Sequence, residues 1–589
     1  MIDFEWLSGA DPSPDGTDVV YLGDRTGRPQ PWLLGGRHVP VDGAVRRCVW
    51  HPGGGRLLVL VDPDGREDHR LGEVDLASGE VEWLTPEHGV RVEIGVPHGH
   101  CGRPYSEDGA LLAYASNARD PGVFDVVVRD LGTGVERTVL PGDDRYLPIA
   151  FSPDSRLLLV LRLHQNTEHD LFVCDLVDGT TRDITGRTGP DKYLPVAWTP
   201  DSSGVYVCTT RGRDYTGLAE LSLTGELTWV DTPDTDVEGA AFADGRLAWG
   251  IHEDGYTRLR WTDVGSGVVH EVGCLPPGVS VSEFGLDGHE LRFTATGELL
   301  VLLGRPDAAA ELYLVDLDAD TARRLTSSGE RLSVDPFLLR RCRVRADDGA
   351  LLAGLLYKPL RANGSLVVTI HGGPEVRAQP KYDPLVHALL ARGIGVLAPD
   401  IRGSSGYGLR FQRAIYRDWG GVDLADLAAF VRALAEVDWV DPTRLGVHGA
   451  SYGGFAALSC LSRQPGSWRA GVSECGPSDL VSDLRAFPPT WRSRGKAWIG
   501  DLDDPADVAR LEDRSPLRNA HRVTAPLLLL HGENDTNVAP EESERMYKRL
   551  KELGRPVSLV EHPGVGHGLD PAAFDRTVEL VTGWFAEHL

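Results

Sequence analysis

The chain has 589 residues, more than a single hydrophobic core organises, so two large domains or more are expected. Its apolar fraction of 41% and charged fraction of 25% are those of an ordinary soluble globular protein. A formal charge of −27 repels phosphate and argues against nucleic acid or an anionic membrane as partner, leaving neutral or cationic substrates.

The chain opens on Met1-Ile-Asp-Phe-Glu-Trp6, with neither the basic stretch nor the apolar stretch of a secretory signal. No apolar run approaches the ~20 residues of a membrane span. The eight cysteines (48, 101, 174, 208, 274, 342, 460 and 475) include no C-x-x-C pair. They read as thiols in a reducing compartment, so the expected location is cytoplasmic. His98-Gly-His100-Cys101 has the look of a metal clip but lacks a second ligand cluster, so no metal and no cofactor is expected.

A short turn pattern then recurs through the first three hundred residues: Ser13-Pro-Asp-Gly, His51-Pro-Gly-Gly, Ser106-Glu-Asp-Gly, Ser152-Pro-Asp-Ser, Thr199-Pro-Asp-Ser, Phe242-Ala-Asp-Gly and Thr296-Gly-Glu. Each leads at once into an apolar run such as Leu57-Leu-Val-Leu or Leu157-Leu-Leu-Val, and most are followed by a second strand with its own turn. Asp and Gly belong there because they tolerate the left-handed backbone and cap it locally. A period of roughly 40 to 55 residues is that of four-stranded propeller blades, so residues 1–332 are expected to form an all-β, seven-bladed propeller.

Near Ser333 the pattern changes, and 333–589 is expected to be a second domain. Arg343 to Pro359 reads as a hairpin turning at Asp348-Gly349. Short apolar strands then alternate with helical runs: Leu366-Val-Val-Thr-Ile, Gly395-Val-Leu-Ala, Leu445-Gly-Val-His, Ala470-Gly-Val-Ser-Glu, Leu527-Leu-Leu-Leu and Val557-Ser-Leu-Val. That rhythm predicts a doubly wound, mostly parallel sheet with helices on both faces and a site at the carboxyl ends of its strands.

The third of those runs ends in Gly449-Ala-Ser-Tyr-Gly-Gly454 and passes into a helix-like stretch. This is G-x-S-x-G at a strand-to-helix junction, the pattern of a nucleophile elbow, with Ser451 pushed out and Gly449, Gly453 and Gly454 making room. A serine hydroxyl needs a base, and the base needs an orienting acid. In an α/β-hydrolase these follow in the order Ser, acid, His. The turn after Leu527–His531 offers Glu533, Asn534 and Asp535; Asp535, deepest in the turn, is the better acid. His562 sits at a strand end before a proline, whereas His567 lies in a glycine-flanked loop that reaches across the strand ends. His567 is therefore the expected base. The oxyanion hole needs two backbone N–H groups. One is expected from Tyr452, the other from the glycine loop Ile370-His-Gly-Gly-Pro374, in which His371 reads as a turn cap.

With these pieces in place the sequence resembles the prolyl oligopeptidase family of serine peptidases, in its acylaminoacyl peptidase and bacterial aminopeptidase-like branch. The matching segments are His371-Gly-Gly-Pro, Pro399-Asp-Ile-Arg-Gly-Ser-Ser-Gly-Tyr-Gly408, Gly449-Ala-Ser-Tyr-Gly-Gly-Phe455, His531-Gly-Glu-Asn-Asp-Thr-Asn-Val and Gly566-His-Gly. The resemblance implies a Ser451, Asp535, His567 triad with Tyr452 and Gly373 as oxyanion donors, and a propeller that restricts access to short peptides. Two departures stand out. The propeller half has no paired glutamates of the dipeptidyl peptidase kind, the only Glu-Glu pair being Glu541-Glu542. The family's Asp-x-x-Val-Pro appears as Asp535-Thr-Asn-Val-Ala-Pro, with an alanine inserted.

The expected activity is amide hydrolysis of short peptides or acylaminoacyl compounds through an acyl-enzyme. An esterase or amidase acting on a small acylated metabolite uses the same groups, and a propeller scaffold with a dormant hydrolase is the remote alternative. Candidate substrate-binding residues are Tyr452, Phe487, Trp491, Trp498 and Val538, with Arg492 or Arg494 to grip a carbonyl. A homo-oligomer is compatible with all of this.

Overall fold

The computed structural model describes residues 4–96, 102–186, 189–280, 291–567 and 571–589. His98, His100 and Cys101 lie outside the described residues. The chain divides into two compact units: Phe4–Glu330 with Gly406–Leu409, and Arg331–Ser405 with Arg410–Leu589.

The first unit forms, among the described residues, seven antiparallel sheets, each built from consecutive strands. In the last of them the first strand comes in two pieces, Val279–Ser280 and Leu291–Phe293, both paired to Leu299–Arg305. The recurring turn pattern forms the hairpin between the first long strands of each sheet, as at Ser13–Asp18 between Leu7–Pro12 and Val19–Gly23. Its chemistry repeats as well. The hydroxyls of Ser13, Ser106, Ser152 and Thr199 donate to Asp15, Asp108, Asp154 and Asp201 at 2.6, 2.7, 2.6 and 2.8 Å. The Ser13 hydroxyl and the N–H and hydroxyl of Thr17 together draw the Asp15 carboxyl down to about 2. Neighbouring sheets pack face to face through apolar clusters. First and last sheets share no strand. They meet through Leu7, Tyr21, Trp32, Leu300, Leu302 and Leu312, with Glu5 N–H bonded to Ser328 O at 3.0 Å.

Among the described residues the second unit holds one eight-stranded sheet. Its strands are β1 (Phe337–Arg345), β2 (Leu351–Pro359), β3 (Leu366–Ile370), β4 (Gly395–Asp400), β5 (Leu445–Ala450), β6 (Ala470–Glu474), β7 (Leu527–Gly532) and β8 (Val557–His562). They lie in the order β1-β2-β4-β3-β5-β6-β7-β8. The β1–β2 and β2–β4 pairs are antiparallel and the rest parallel. The central strands are buried on both sides, which is why they read as continuous apolar runs rather than alternating ones. Helices α1 (Pro384–Ala391) and α9 (Pro571–His588) cover one face. The other face carries, in chain order, α3 (Val422–Leu434), α4 (Tyr452–Arg463), α5 (Leu480–Ala486), α7 (Pro505–Arg514) and α8 (Glu541–Glu552). The described residues also form two short helices, α2 (Leu409–Arg413) and α6 (Arg492–Trp498).

This topology fixes where chemistry can occur. The chain leaves β3 for β4 on one side and β5 for β6 on the other, so the carboxyl ends of β3 and β5 form the crevice where strand order reverses. Ile370 pairs with Gly449 across that crevice, which sets the glycine loop after β3 beside the turn after β5. Among the described residues no helix is long and apolar enough to cross a membrane.

Candidate active site

Ser451 sits at the junction of β5 and α4 with φ 57° and ψ −121°, a backbone conformation that costs an L-residue of order 1–3 kcal/mol. Its surroundings hold it there. Ser451 N–H donates to Glu474 O at 2.9 Å, and Ser451 O accepts from Phe455 N–H at 3.0 Å. The flanking glycines are there for space rather than flexibility. A Cβ on Gly449 would stand 2.3 Å from Gly453 O, one on Gly453 2.1 Å from Ile370 O, and one on Gly454 2.6 Å from Glu474 O. All three obstacles are backbone atoms. Gly453→Ala is therefore expected to destabilise by about 3 kcal/mol, at the upper end of overpacking costs. A denaturant midpoint unchanged from the parent chain would contradict this.

The three residues singled out as nucleophile, acid and base come together. His567 Nε2 lies 3.0 Å from Ser451 Oγ, and His567 Nδ1 lies 2.8 Å from Asp535 Oδ2. Asp535 is held from its other side: Oδ1 accepts the N–H groups of Asn537 and Val538, each at 2.9 Å. His531 Nε2 approaches Oδ2 at 3.3 Å. Burial pushes the Asp535 carboxyl up, but the charge of His567 and hydrogen bonds from His531 and His567 outweigh it, leaving the group well below the ordinary carboxylate value. For His567, burial opposes charge, and Cys475 and Asp535 favour it; the direction is well above 6.5. Asp535 is the lasting cause, because burial keeps the Cys475 thiol protonated. The alternatives considered for acid and base serve the turn instead. Glu533 accepts from Gly564 N–H at 3.2 Å, and buried His562 Nε2 meets Thr577 Oγ1 at 3.2 Å.

The glycine loop reaches the serine. A Cβ placed on Gly372 would be 3.7 Å from Ser451 Cβ, and Gly373 has φ +108°, a conformation suited to glycine. Among the described residues neither Gly373 N–H nor Tyr452 N–H has a hydrogen-bond acceptor, and Tyr452 opens α4, where the helix presents partial positive charge. His371 does act as a brace: Nδ1 lies 2.8 Å from Gly372 O and Nε2 2.9 Å from Ser404 Oγ.

Several contributors carry no short-range signal in the sequence. Thr369 Oγ1, His448 and Glu474 form a chain across β3, β5 and β6 directly beneath the elbow, with both links 2.7 Å. Asp423 on α3 is wholly buried and accepts the Tyr452 hydroxyl at 2.6 Å. Glu542, from the Glu-Glu pair, is buried and accepts the N–H groups of Ser478 and Asp479 at 2.9 and 2.8 Å. Cys475 follows β6, and its Sγ lies with a His567 ring nitrogen and an Asp535 oxygen, all within 4.8 Å of one another.

The proposed substrate-binding residues are divided. The Tyr452 side chain is 1% exposed and packs edge-on against Trp419, so it belongs to the core and only its backbone faces the site. Trp498 packs on the same Trp419 at 5.0 Å between ring centroids, and Phe487 is buried against Trp491 at 5.8 Å. Val538 is buried and belongs to the acid loop; its carbonyl accepts from His531 Nε2 at 3.0 Å. Trp491 is half-buried, Arg492 exposed, and Arg494 stacks 6.0 Å from the Trp491 ring.

Residues 380–589 match the family model described as the prolyl oligopeptidase family. The uncharacterized peptidase YuxL of Bacillus subtilis (strain 168) is 30% identical over 325 residues, covering 52% of this chain and 47% of YuxL, so the chain spans about half of that relative. Dipeptidyl aminopeptidase BIII of Pseudoxanthomonas mexicana is 27% identical over 623 residues, covering 98% of this chain and 86% of that one. A crystal structure of puromycin hydrolase superimposes with a TM-score of 0.86 at 23% identity, over 99% of this chain and 94% of that one, a likeness of fold. Elbow, acid turn and histidine loop all fall within the residues that match the prolyl oligopeptidase family, and the glycine loop lies just before them.

Proposed function

We propose that the chain hydrolyses amide bonds of short peptides or acylaminoacyl compounds through Ser451, His567 and Asp535. One observation carries the reading: a single imidazole lies within hydrogen-bonding distance of a strained, outward-turned serine on one side and a buried carboxylate on the other. His567 Nε2 takes the Ser451 proton as Oγ attacks the carbonyl carbon, while Asp535 holds the Nδ1–H tautomer and steadies the imidazolium. The negative oxygen is met by the N–H groups of Tyr452 and Gly373. His567 then gives its proton to the leaving amine, and a water activated by the same imidazole releases the acyl group. Dipeptidyl aminopeptidase BIII supports a peptide substrate by name. A cytoplasmic setting fits the thiols, since no disulfide joins the described cysteines.

The test is a panel of blocked and free aminoacyl chromogenic amides beside matched esters, with a fluorophosphonate probe on Ser451. Turnover of amides is expected. Esters alone would replace peptidase by esterase, and a folded chain whose Ser451 escapes the probe would leave a scaffold.

The pH profile gives a further check. The base works only when neutral, and His567 is raised above 6.5, so it stays protonated over a wider range. The acid limb of kcat/KM is accordingly expected to have its midpoint above 6.5. A midpoint at or below 6.5 would contradict the assignment of His567.

A further inference from the structure

The chemistry above uses an oxygen, an imidazole and a carboxylate, and leaves the Cys475 thiol beside them without a task. Cys475 leaves the carboxyl end of β6 with φ +39°, in the left-handed region that non-glycine residues seldom enter. Its N–H donates to Leu530 O on β7 at 2.8 Å. The next residue is Gly476, where a Cβ would stand 2.4 Å from the carbonyl carbon of Gly454, so the turn has no slack. The thiol is thereby held where its Sγ, a ring nitrogen of His567 and an oxygen of Asp535 all lie within 4.8 Å of one another.

Thiolate, imidazole and carboxylate are the donors zinc-like ions take, and sulfur disfavours magnesium and calcium. Around a tetrahedral ion with bonds of about 2.0–2.3 Å the donors stand about 3.3–3.7 Å apart. The separations of up to 4.8 Å have to shorten by about 1 Å for the three to share one ion, which leaves a fourth position for water. We infer that Cys475, His567 and Asp535 form a reversible inhibitory site for a thiophilic divalent cation, Zn2+ or Cd2+. On binding, a metal–sulfur bond replaces S–H and that proton goes to solvent. The ion takes Nδ1 in place of the proton shared with Asp535, and this proton moves to Nε2. The imidazole then donates toward Ser451 instead of accepting from it, and the base is lost until the ion leaves.

The experiment uses the full chain, stripped with a chelator and titrated with Cd2+. Thiolate-to-cadmium charge-transfer absorption in the ultraviolet is expected to grow to one equivalent while amide turnover falls, both reversed by chelator. Cys475→Ser, and Cys475→Ala should serine perturb the fold, are expected to lose that absorption. Their half-inhibiting Cd2+ concentration should rise by at least about tenfold, the loss that even an outer-shell partner causes. Mg2+ is expected to do neither. Equal Cd2+ inhibition of the variants, or no excess absorption in the parent chain over them, would overturn the site. The inhibition arm rests on the catalytic reading of His567; the absorption arm does not, so a chain without amide turnover still decides the metal site.

Discussion

Ser451→Ala is expected to lower kcat on an amide substrate by roughly 10⁶-fold, and His567→Ala by about as much. Oγ is the atom that bonds to the substrate, and Nε2 at 3.0 Å is its only base in reach among the described contacts. Because the two act as one unit, the double variant should lose little more than either single one. What remains, about 10³–10⁴-fold over water, is what binding and the oxyanion N–H groups supply alone. Single-turnover measurements on the three variants check both the size and the non-additivity. Additive losses would mean that hydroxyl and imidazole work in separate steps. Substantial turnover by Ser451→Ala would place the nucleophile elsewhere.

Asp535→Asn is expected to cost about 10⁴-fold in kcat with the fold intact. The geometry explains why so slight a change does so much. Oδ1 accepts two loop N–H groups at 2.9 Å, so the amide of an asparagine has to keep its oxygen there. Its NH2 then faces Nδ1, which must accept, and the proton is driven to Nε2, where it blocks the transfer from Ser451. The carboxylate that raises His567 is gone as well, so the residual activity should show its acid limb shifted down toward 6.5. Retention of kcat within tenfold, or an unshifted limb, would count against Asp535 as the orienting acid.

Much of this was written locally in the chain. Most of the turns were legible because a hydroxyl or carboxylate folds back on its own backbone over a few residues, as Ser152 does on Asp154 and Leu157 N–H; at His51 the imidazole does so instead, accepting from Gly53 N–H. The elbow glycines were legible because a strand-to-helix turn crowds its neighbours wherever it occurs. Pairings between distant residues were not. Nothing near Tyr452 announces Asp423 as its partner, so sequence alone leaves its ring between pocket wall and core, and the structure packs it against Trp419. Trp498 is open in the same way, since an aromatic on a short helix looks identical in sequence whether it faces substrate or Trp419. Thr369–His448–Glu474 and Cys475 depend on which strands lie side by side, and strand order is a property of the sheet rather than of any segment.

The junction between first and last blades has a consequence of its own. Every other pair of neighbouring blades is tethered by the polypeptide running from one to the next, whereas this seam is bridged by side-chain contact and the Glu5–Ser328 bond. A ring fastened by oil at one joint and by covalent thread at the others has a built-in parting line. Thermal widening is expected to collect there first, and a large-to-small change at Leu312 or Trp32 is expected to loosen the circumference as a whole, where the same change inside a blade would leave only a local void.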